Sequence, residues 1–342
     1  MGGLVTGPKK NREQAFNLLS PPFIKGGVGG FGGKMTPRIK PILGLGWKKW
    51  WIRGMALIVG LVIPSLIWGG PDLEVINKQV SPGHYQRIIS LAPSITEILF
   101  NLGLGNQVVG VTQHCNFPTE ALAKPKVGSY VDLNIERILA LKPDLIIATA
   151  DGNEKESVER LVRFDLRVLV TNPKNLNEVF ETIRTIGRMT RTENEADRMV
   201  GLLEQRAERV IRACSRLSRP KVFLQINEQP LMTVGRDTFH NNLITLAAGI
   251  NISGREAIKY PKYSLEQVLR SKPEVILITS MERGAPAEKK KERWNQWGQI
   301  PAVAKGRIYL LDSDVLDRPS PRLVDGLEAL ARAIHPELKD WK

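Results

Sequence analysis

The chain contains NIERILALKPDLII at residues 134–147 and, 130 positions later, SLEQVLRSKPEVIL at residues 264–277. Each stretch begins with a residue that commonly caps a helix, carries a glutamate in the first turn and ends in Lys-Pro-acid before an apolar run. A helix that leads into a buried strand is the repeating unit of parallel α/β sheets. The repeat therefore predicts two α/β lobes that are related by an internal pseudo-duplication.

Short runs of Val, Ile and Leu, bounded by Gly or Pro, surround both copies of the repeat. They lie at 88–91, 108–111, 145–148, 168–170, 222–226, 275–278 and 308–311, and amphipathic stretches alternate with them. Apolar runs of this length are typical of strands that helices cover on both faces. We predict a protein of the α/β class with two Rossmann-like lobes, over residues 86–173 and 219–338.

The alternation stops over residues 174–216, where the pattern is helical throughout. One helix is predicted over residues 175–189, and Thr192 with Glu195 offers a capping box for a second one. Apolar residues recur at helical spacing from Ala196 to Cys214, which predicts a helix of about twenty residues. One long rigid helix would hold the lobes apart and leave a ligand cleft between the carboxyl ends of their strands.

The positive charge of the chain is concentrated near its N-terminus. The formal net charge is +14, and ten basic residues against one acid before residue 54 contribute +9 of it. They precede an apolar run over residues 55–68, which is the order of a secretory signal and is short for a membrane span. We assign residues 1–70 to an N-terminal extension with a signal, or an anchor if the signal is not cleaved. The weakly basic remainder does not indicate nucleic-acid binding.

The cysteines and the missing catalytic motifs argue against a disulfide scaffold and against an enzyme. Cys115 and Cys214 lie in different structural contexts and are not expected to pair. No H-E-x-x-H, P-loop or G-x-S-x-G motif follows the apolar run. His114 adjoins Cys115, but adjacent residues on a strand or helix do not face each other as a nucleophile and its base must. We predict no catalytic residue and no cofactor.

Four motifs, in this order, resemble those of one family of transport proteins. They are RIISLAPSITEILFNLGLGNQVVGV at 87–111, the block that begins at residue 134, KVFLQIN at 221–227 with TVGRDTF at 233–239, and RPSPRLVDGLEALA at 318–331. The chain resembles the cobalamin-binding proteins of bacterial ABC importers, part of a helix-linked class that also binds haem and iron–siderophores. The resemblance implies an exported periplasmic monomer that passes a metal chelate to a permease and its ATPase. A membrane-tethered ligand sensor is the alternative from a different functional class.

The resemblance also implies a docking role for Glu136 and Glu266. In this class one glutamate on each lobe meets arginines of the permease, and these two residues occupy matching positions of the repeat. Each carboxylate would also stabilise its own helix through the helix dipole, by less than about 1 kcal/mol. Two exposed carboxylates held apart by a rigid spacer would orient the protein on a basic receptor surface.

In the family the ligand cleft is formed by loops after the strands, which implies nine ligand-contacting positions here. They are Pro93, Ser94, His114, Cys115, Tyr130, Asp151, Asn227, Asp317 and Arg318. Thr149 and Val315 stand where cobalamin-binding relatives have bulky rings, whereas Tyr130 keeps one aromatic side chain. His114 or Cys115 could supply an axial ligand to the chelated metal; alternatively, the imidazole only forms hydrogen bonds and the thiol is buried.

Overall fold

Two four-stranded sheets, one in each lobe, share the same topology. The computed structural model describes Asn77 and residues 80–279 and 287–338. Strands β1–β4 are Ile88–Ser90, Val108–Val111, Leu145–Thr149 and Val168–Thr171, and strands β5–β8 are Lys221–Gln225, Ile250–Asn251, Val275–Ile278 and Ile308–Leu310. The first sheet has the order β2-β1-β3-β4 and the second has the order β6-β5-β7-β8. All pairs are parallel, which confirms the predicted α/β class.

Helices flank the strands and connect the lobes. In the first lobe α1 is Pro93–Asn101, α2 is Ile135–Ala140 and α3 is Lys155–Arg163, with a 3₁₀ turn at Thr119–Ala123. The linking helices are α4, Leu176–Thr190, and α5, Glu193–Cys214. In the second lobe α6 is Phe239–Leu246, α7 is Leu265–Ser271, α8 is Ala287–Glu292, α9 is Pro301–Ala304, α10 is Ser313–Leu316 and α11 is Leu323–Ile334.

The two copies of the repeat begin their helices in the same way. The side chain of Asn134 caps α2 by accepting a hydrogen bond from the N–H of Arg137. The side chain of Ser264 caps α7 by accepting one from the N–H of Gln267, and Gln267 accepts one from Ser264 in return. The second copy therefore has a complete capping box, and both predicted caps are confirmed.

The acid that ends each Lys-Pro-acid triplet fastens the start of the first strand in its sheet. Asp144 accepts hydrogen bonds from the backbone N–H groups of Gln86 and Arg87 at 2.7 and 2.9 Å. Glu274 accepts one from the N–H of Lys221 at 2.9 Å. Because both acids have the same role beside β1 and β5, the sequence repeat reflects a duplicated structure.

The sequence patterns predict seven strands, whereas the described residues form eight. The missed strand, β6, pairs with β5 only at Ile250 with Lys221 and at Asn251 with Val222. Ile250 is exposed, so the strand has no apolar run of its own. Hydrophobic periodicity cannot reveal an edge strand of two residues.

The linking helices share one apolar core with both sheets. Buried side chains extend from Ile88 in β1 through Val200 in α5 to Val222 in β5. Helices α4 and α5 approach closely at Gly187, where an added Cβ would lie 2.6 Å from the Cβ of Ala196. A continuous close-packed core transmits strain and resists hinge motion between the lobes.

The start of α5 differs in detail from the prediction. Thr192 is the N-cap residue, but its side chain makes no capping hydrogen bond and lies 3.0 Å from the hydroxyl of Thr190. The predicted capping box of Thr192 with Glu195 is therefore wrong. The helix nevertheless spans 22 residues, and Cys214 at its end is fully buried, as the helical spacing predicted.

The predicted signal or anchor over residues 1–70 lies outside the described residues. In the part of the chain that is described, no helix combines the length and the hydropathy needed to cross a membrane. The two cysteines, Cys115 and Cys214, are both free thiols.

Candidate functional site

A cavity lies between the lobes, beside loops that follow strands of both sheets. It measures about 180 Å³ and opens to solvent. The first lobe contributes Pro93, Ser94, His114 and Tyr130, and the second contributes Ser313, Asp314, Asp317, Arg318 and Pro319. Six of the nine predicted ligand-contacting positions are among these residues. This volume is below that of typical pockets for drug-sized ligands.

Tyr130 forms an aromatic wall of the cavity and is held in place by its neighbours. The side chain of Asn153 donates to the carbonyl oxygens of Tyr130 and Leu91 at 2.8 and 3.0 Å and accepts from the N–H of Thr149. The ring lies against Gly152, where an added Cβ would come within 1.6 Å of it. Burial raises the pKa of the Tyr130 hydroxyl, so it stays a hydrogen-bond donor at neutral pH.

His114 and Cys115 are adjacent in sequence but differ in exposure. His114 is exposed and lines the cavity. Cys115 is fully buried; its sulfur accepts a hydrogen bond from the hydroxyl of Thr96 at 3.1 Å and lies 3.2 Å from that of Thr112. Burial raises the pKa of the Cys115 thiol, which disfavours the thiolate that metal ligation requires. Of the two predicted axial ligands, the structure brings His114 to the cavity and leaves Cys115 in the core.

Arg318 joins the lobes through both terminal nitrogens of its guanidinium. It donates to Glu97 at 3.1 Å and to Asn116 at 2.7 Å in the first lobe, and to Asp314 at 2.5 Å in its own lobe. Asn116 in turn donates to Asp314 at 2.6 Å. The planar guanidinium suits such simultaneous contacts. A ligand that approached Arg318 would therefore compete with groups of the protein.

The sequence patterns did not single out Glu97, which lies at the centre of a group of polar side chains. We call this group the Glu97 cluster; its members are Glu97, Arg318, Ser320 and Arg322. The carboxylate is fully buried on α1 and accepts hydrogen bonds from the other three residues, all in the second lobe. Arg322 binds both oxygens, at 2.7 and 2.9 Å, and stacks on Phe117 with its guanidinium 4.0 Å from the ring centroid. The sequence signal that could have indicated a buried, paired carboxylate is the single acid within SITEILF, a stretch that is otherwise suited to a buried helix.

A buried pair of side chains, Asp317 and His240, lies in the second lobe. The Nε2 atom of His240 is 3.0 Å from Oδ1 of Asp317, and the ring of His240 stacks on Phe239. Among the described residues, neither Oδ2 of Asp317 nor Nδ1 of His240 has a hydrogen-bond partner. Asp317 also lines the cavity, and its Oδ2 is a buried acceptor that the described residues leave unused.

Asp151 makes another contact between the lobes, from the loop after β3. One carboxylate oxygen lies 2.7 Å from Nζ of Lys259, and the other accepts a hydrogen bond from the hydroxyl of Tyr260 at 2.6 Å. We call these three residues the Asp151 bridge. Asp151 was predicted to contact ligand, but it is not among the residues that line the cavity. Its two partners in the second lobe were not predicted.

A family model described as "Periplasmic binding protein" matches residues 88–315, which include both sheets and both linking helices. The chain belongs to the periplasmic binding protein family. The family resemblance that the sequence motifs indicated is thereby confirmed.

Three relatives of this periplasmic binding protein show the range of its family. An uncharacterized ABC transporter substrate-binding lipoprotein of Bacillus subtilis (strain 168), YvrC, is 30% identical over 259 residues, which are 74% of this chain and 81% of the relative. The crystal structure of the periplasmic vitamin B12-binding protein BtuF of Vibrio cholerae has a TM-score of 0.69 at 30% identity, covering 75% of this chain and 99% of that chain. The periplasmic heme-binding protein RhuT of Roseiflexus sp. RS-1 has a TM-score of 0.66 at 25% identity, covering 74% and 99%.

Some predicted positions of this periplasmic binding protein lie away from the cavity. The side chain of Asn227 donates to the carbonyl oxygen of Pro230 at 2.9 Å, so it closes its own turn. Thr149 is buried, and neither it nor Val315 lines the cavity.

The two predicted docking residues occupy equivalent exposed positions. Glu136 lies in the first turn of α2 and Glu266 in the first turn of α7, and both are exposed. Glu266 pairs with Arg270 at 2.9 Å, but both side chains are 79% exposed, so the pair is weak. Both carboxylates are therefore accessible to a basic partner.

Proposed function

We propose that this chain is the exported substrate-binding component of an ABC importer and that it delivers a metal chelate of the cobalamin class to a permease and its ATPase. The family and the named substrates of the relatives support this proposal. The observation that carries it is the inter-lobe cavity, which places His114, Tyr130 and Asp317 together. Export by the segment within residues 1–70, delivery in the periplasm and action as a monomer are parts of the same proposal.

A metal chelate suits the groups that meet at the cavity. The ring of Tyr130 and the prolines Pro93 and Pro319 offer apolar surface to a flat macrocycle. The exposed imidazole of His114 can coordinate a metal that has an open axial position. Asp317 supplies an acceptor for amide N–H groups at the ligand rim. Haem is the second candidate, since a heme-binding protein is among the structural neighbours, and an iron–siderophore is the third.

A binding role is also supported by the state of the groups that could otherwise be nucleophiles or bases. Cys115 is buried with a raised thiol pKa, so the reactive thiolate is disfavoured. Arg318 and Asp151 are engaged in contacts between the lobes. The relatives are named as binding proteins, which agrees with a chain that captures a ligand without transforming it.

The ligand is tested by titrating the purified protein with aquocobalamin and with haemin while the visible spectrum is recorded. We expect one of them to bind and to shift its absorption bands, because an imidazole replaces the labile axial group. His114→Ala should remove the band shift while binding persists, and Cys115→Ser, the matched control, should leave it unchanged. If neither chelate binds the parent protein, the proposed ligand class is wrong.

The docking role of Glu136 and Glu266 is tested by replacing both with Ala. We expect unchanged ligand affinity and loss of uptake in liposomes that contain the cognate permease and ATPase, because the exposed carboxylates would orient the protein on arginines. A control variant with Glu156→Ala and Glu292→Ala removes the same number of exposed charges, one from each lobe, at other positions. An equal loss of uptake in the control, or a loss of ligand affinity in the test variant, would contradict the docking role.

A further inference from the structure

The Asp151 bridge joins two loops that belong to different lobes. Asp151 follows β3, whereas Lys259 and Tyr260 lie between β6 and α7. Both oxygens of the carboxylate are used, at 2.7 Å to Lys259 and at 2.6 Å to Tyr260. The side chains of Asp151 and Lys259 are 23% and 33% exposed, so water reaches the contact. The bridge is therefore a polar contact at a boundary with solvent.

The bridge is connected to the cavity on both of its sides. In the first lobe, Gly152 follows Asp151 directly and supports the ring of Tyr130, which is a wall of the cavity. In the second lobe, Tyr260 packs edge-on against His240 with ring centroids 6.3 Å apart, and His240 holds Asp317. A movement of either loop would consequently change the wall of the cavity.

We propose that the Asp151 bridge is a gate that closes one side of the cavity, and that Asp151 determines which ligands can enter by their size. The proposal rests on the proposed function for the class of ligand. The cavity of about 180 Å³ is smaller than the pockets that hold drug-sized molecules, so a macrocycle needs part of the cavity wall to move. A corrinoid with its nucleotide loop is bulkier than a flat porphyrin and needs the gate to open, whereas the porphyrin needs it less.

The gate can open because its ion pair is weak enough to exchange with water. A partly exposed ion pair contributes little to stability, and the flexible stem of Lys259 can carry the ammonium into solvent. The hydroxyl of Tyr260 is more buried, and on opening it can exchange Asp151 for a polar group of the ligand. The continuous core beneath the lobes stays intact, so opening is local to the two loops.

Access to the cavity is tested first without any transported ligand. Ser94→Cys places a thiol on the cavity wall, and the two native cysteines are fully buried. In this background Asp151→Ala should accelerate labelling by fluorescein maleimide about tenfold, the factor expected for losing a contact of about 1.4 kcal/mol. Labelling by the small reagent iodoacetamide should change less. Glu159→Ala is the matched control. It too removes a carboxylate that pairs with a lysine, but that lysine, Lys155, lies 3.8 Å away in the same lobe, so no contact between the lobes is lost.

Two further variants keep the test independent of folding defects. Lys259→Met and Tyr260→Phe each remove one half of the bridge, and both should accelerate maleimide labelling to a smaller extent than Asp151→Ala. Circular dichroism confirms that each variant is folded. The gate is refuted if the three folded variants label at the rate of the Ser94→Cys parent.

The size selectivity is tested by stopped-flow binding of cyanocobalamin and of haemin. Asp151→Ala should increase the ratio of the cyanocobalamin association rate to the haemin association rate, and Glu159→Ala should not. An unchanged ratio refutes the size selectivity. If the parent binds neither compound, the proposed function fails, and the thiol labelling still decides whether Asp151 is a gate.

Discussion

Two of the contacts between the lobes, the Glu97 cluster and the Asp151 bridge, differ in burial and in the number of partners. Glu97 is fully buried and accepts hydrogen bonds from Arg318, Ser320 and Arg322. The carboxylate of Asp151 is 23% exposed and has one charged partner, Lys259, at 2.7 Å. The same chemical group is therefore placed in two environments, one that excludes water and one that admits it.

The difference in environment assigns different mechanical roles to the two contacts. A buried carboxylate left without its arginines pays a large desolvation penalty, so the Glu97 cluster must stay closed while the protein is folded. A partly exposed ion pair exchanges its contacts with water at little cost. We conclude that the Glu97 cluster anchors the lobes and that the Asp151 bridge is the contact able to open.

The largest effect is expected for Glu97→Gln. Removing the negative charge takes away the buried counter-ion that Arg318 and Arg322 share and leaves Arg318 paired with Asp314 alone, and we expect the free energy of unfolding to fall by about 3–5 kcal/mol. Urea denaturation measures this change. Glu159→Gln, on the exposed face of α3, is the control and should stay within about 0.5 kcal/mol of the parent. A loss below about 1 kcal/mol for Glu97→Gln would mean that the cluster is no anchor.

The fold could be predicted from the sequence because its signals are local. The repeat places Asn134 and Asp144 within 14 residues of one another, and the equivalent Ser264 and Glu274 have the same spacing. Asn134 and Ser264 each cap the helix that begins at the next residue, so neighbours in the sequence decide where these helices start. The exceptions were β6, which has only two residues, and the start of α5, where the hydroxyl of Thr192 turns to Thr190.

The candidate site could be predicted only in part because its decisive contacts join distant segments. His114 and Tyr130 were reached through the family motifs, and both line the cavity. The pairing of Glu97 with Arg318 spans 221 positions and that of Asp151 with Tyr260 spans 109. No periodicity of one sequence encodes which distant side chains meet. Burial of Cys115 was likewise decided by tertiary packing around Thr96 and Thr112.

The second largest effect is expected on the free energy of unfolding at alkaline pH. It distinguishes the Asp151 bridge from the Glu97 cluster, because only the bridge contains a tyrosine. Burial, with the nearby Asp151 carboxylate, raises the pKa of Tyr260 above its ordinary value of about 10. The unfolded chain therefore loses this proton near pH 10 while the folded protein keeps it. Stability is fully present below about pH 10 and falls by about 1.4 kcal/mol per pH unit for this group above it.

Urea denaturation at pH 9, 10 and 11 measures that slope. Tyr260→Phe should flatten it, and Tyr130→Phe should do the same because burial also raises the pKa of Tyr130. Glu97→Gln should lower the stability at every pH and leave the slope as in the parent, since the Glu97 cluster contains no tyrosine. A slope unaffected by Tyr260→Phe would contradict the protonated state of the bridge.

The smallest effect is expected for the coupling between Asp151 and Lys259, measured by a double-mutant cycle of Asp151→Asn and Lys259→Met. Since both side chains are partly exposed, the coupling energy should be about 0.2–1 kcal/mol and should shrink as salt is raised from 0.05 M to 1 M. The same cycle with Glu97→Gln and Arg318→Met should give a larger coupling that salt hardly changes, because water and ions are excluded from it. If the two cycles agree in size and in salt dependence, the lobes are held by two equivalent contacts, and neither is a gate. The coupling energy at Asp151 should be small but measurable. Such a contact stays closed without ligand and can still open when a ligand enters.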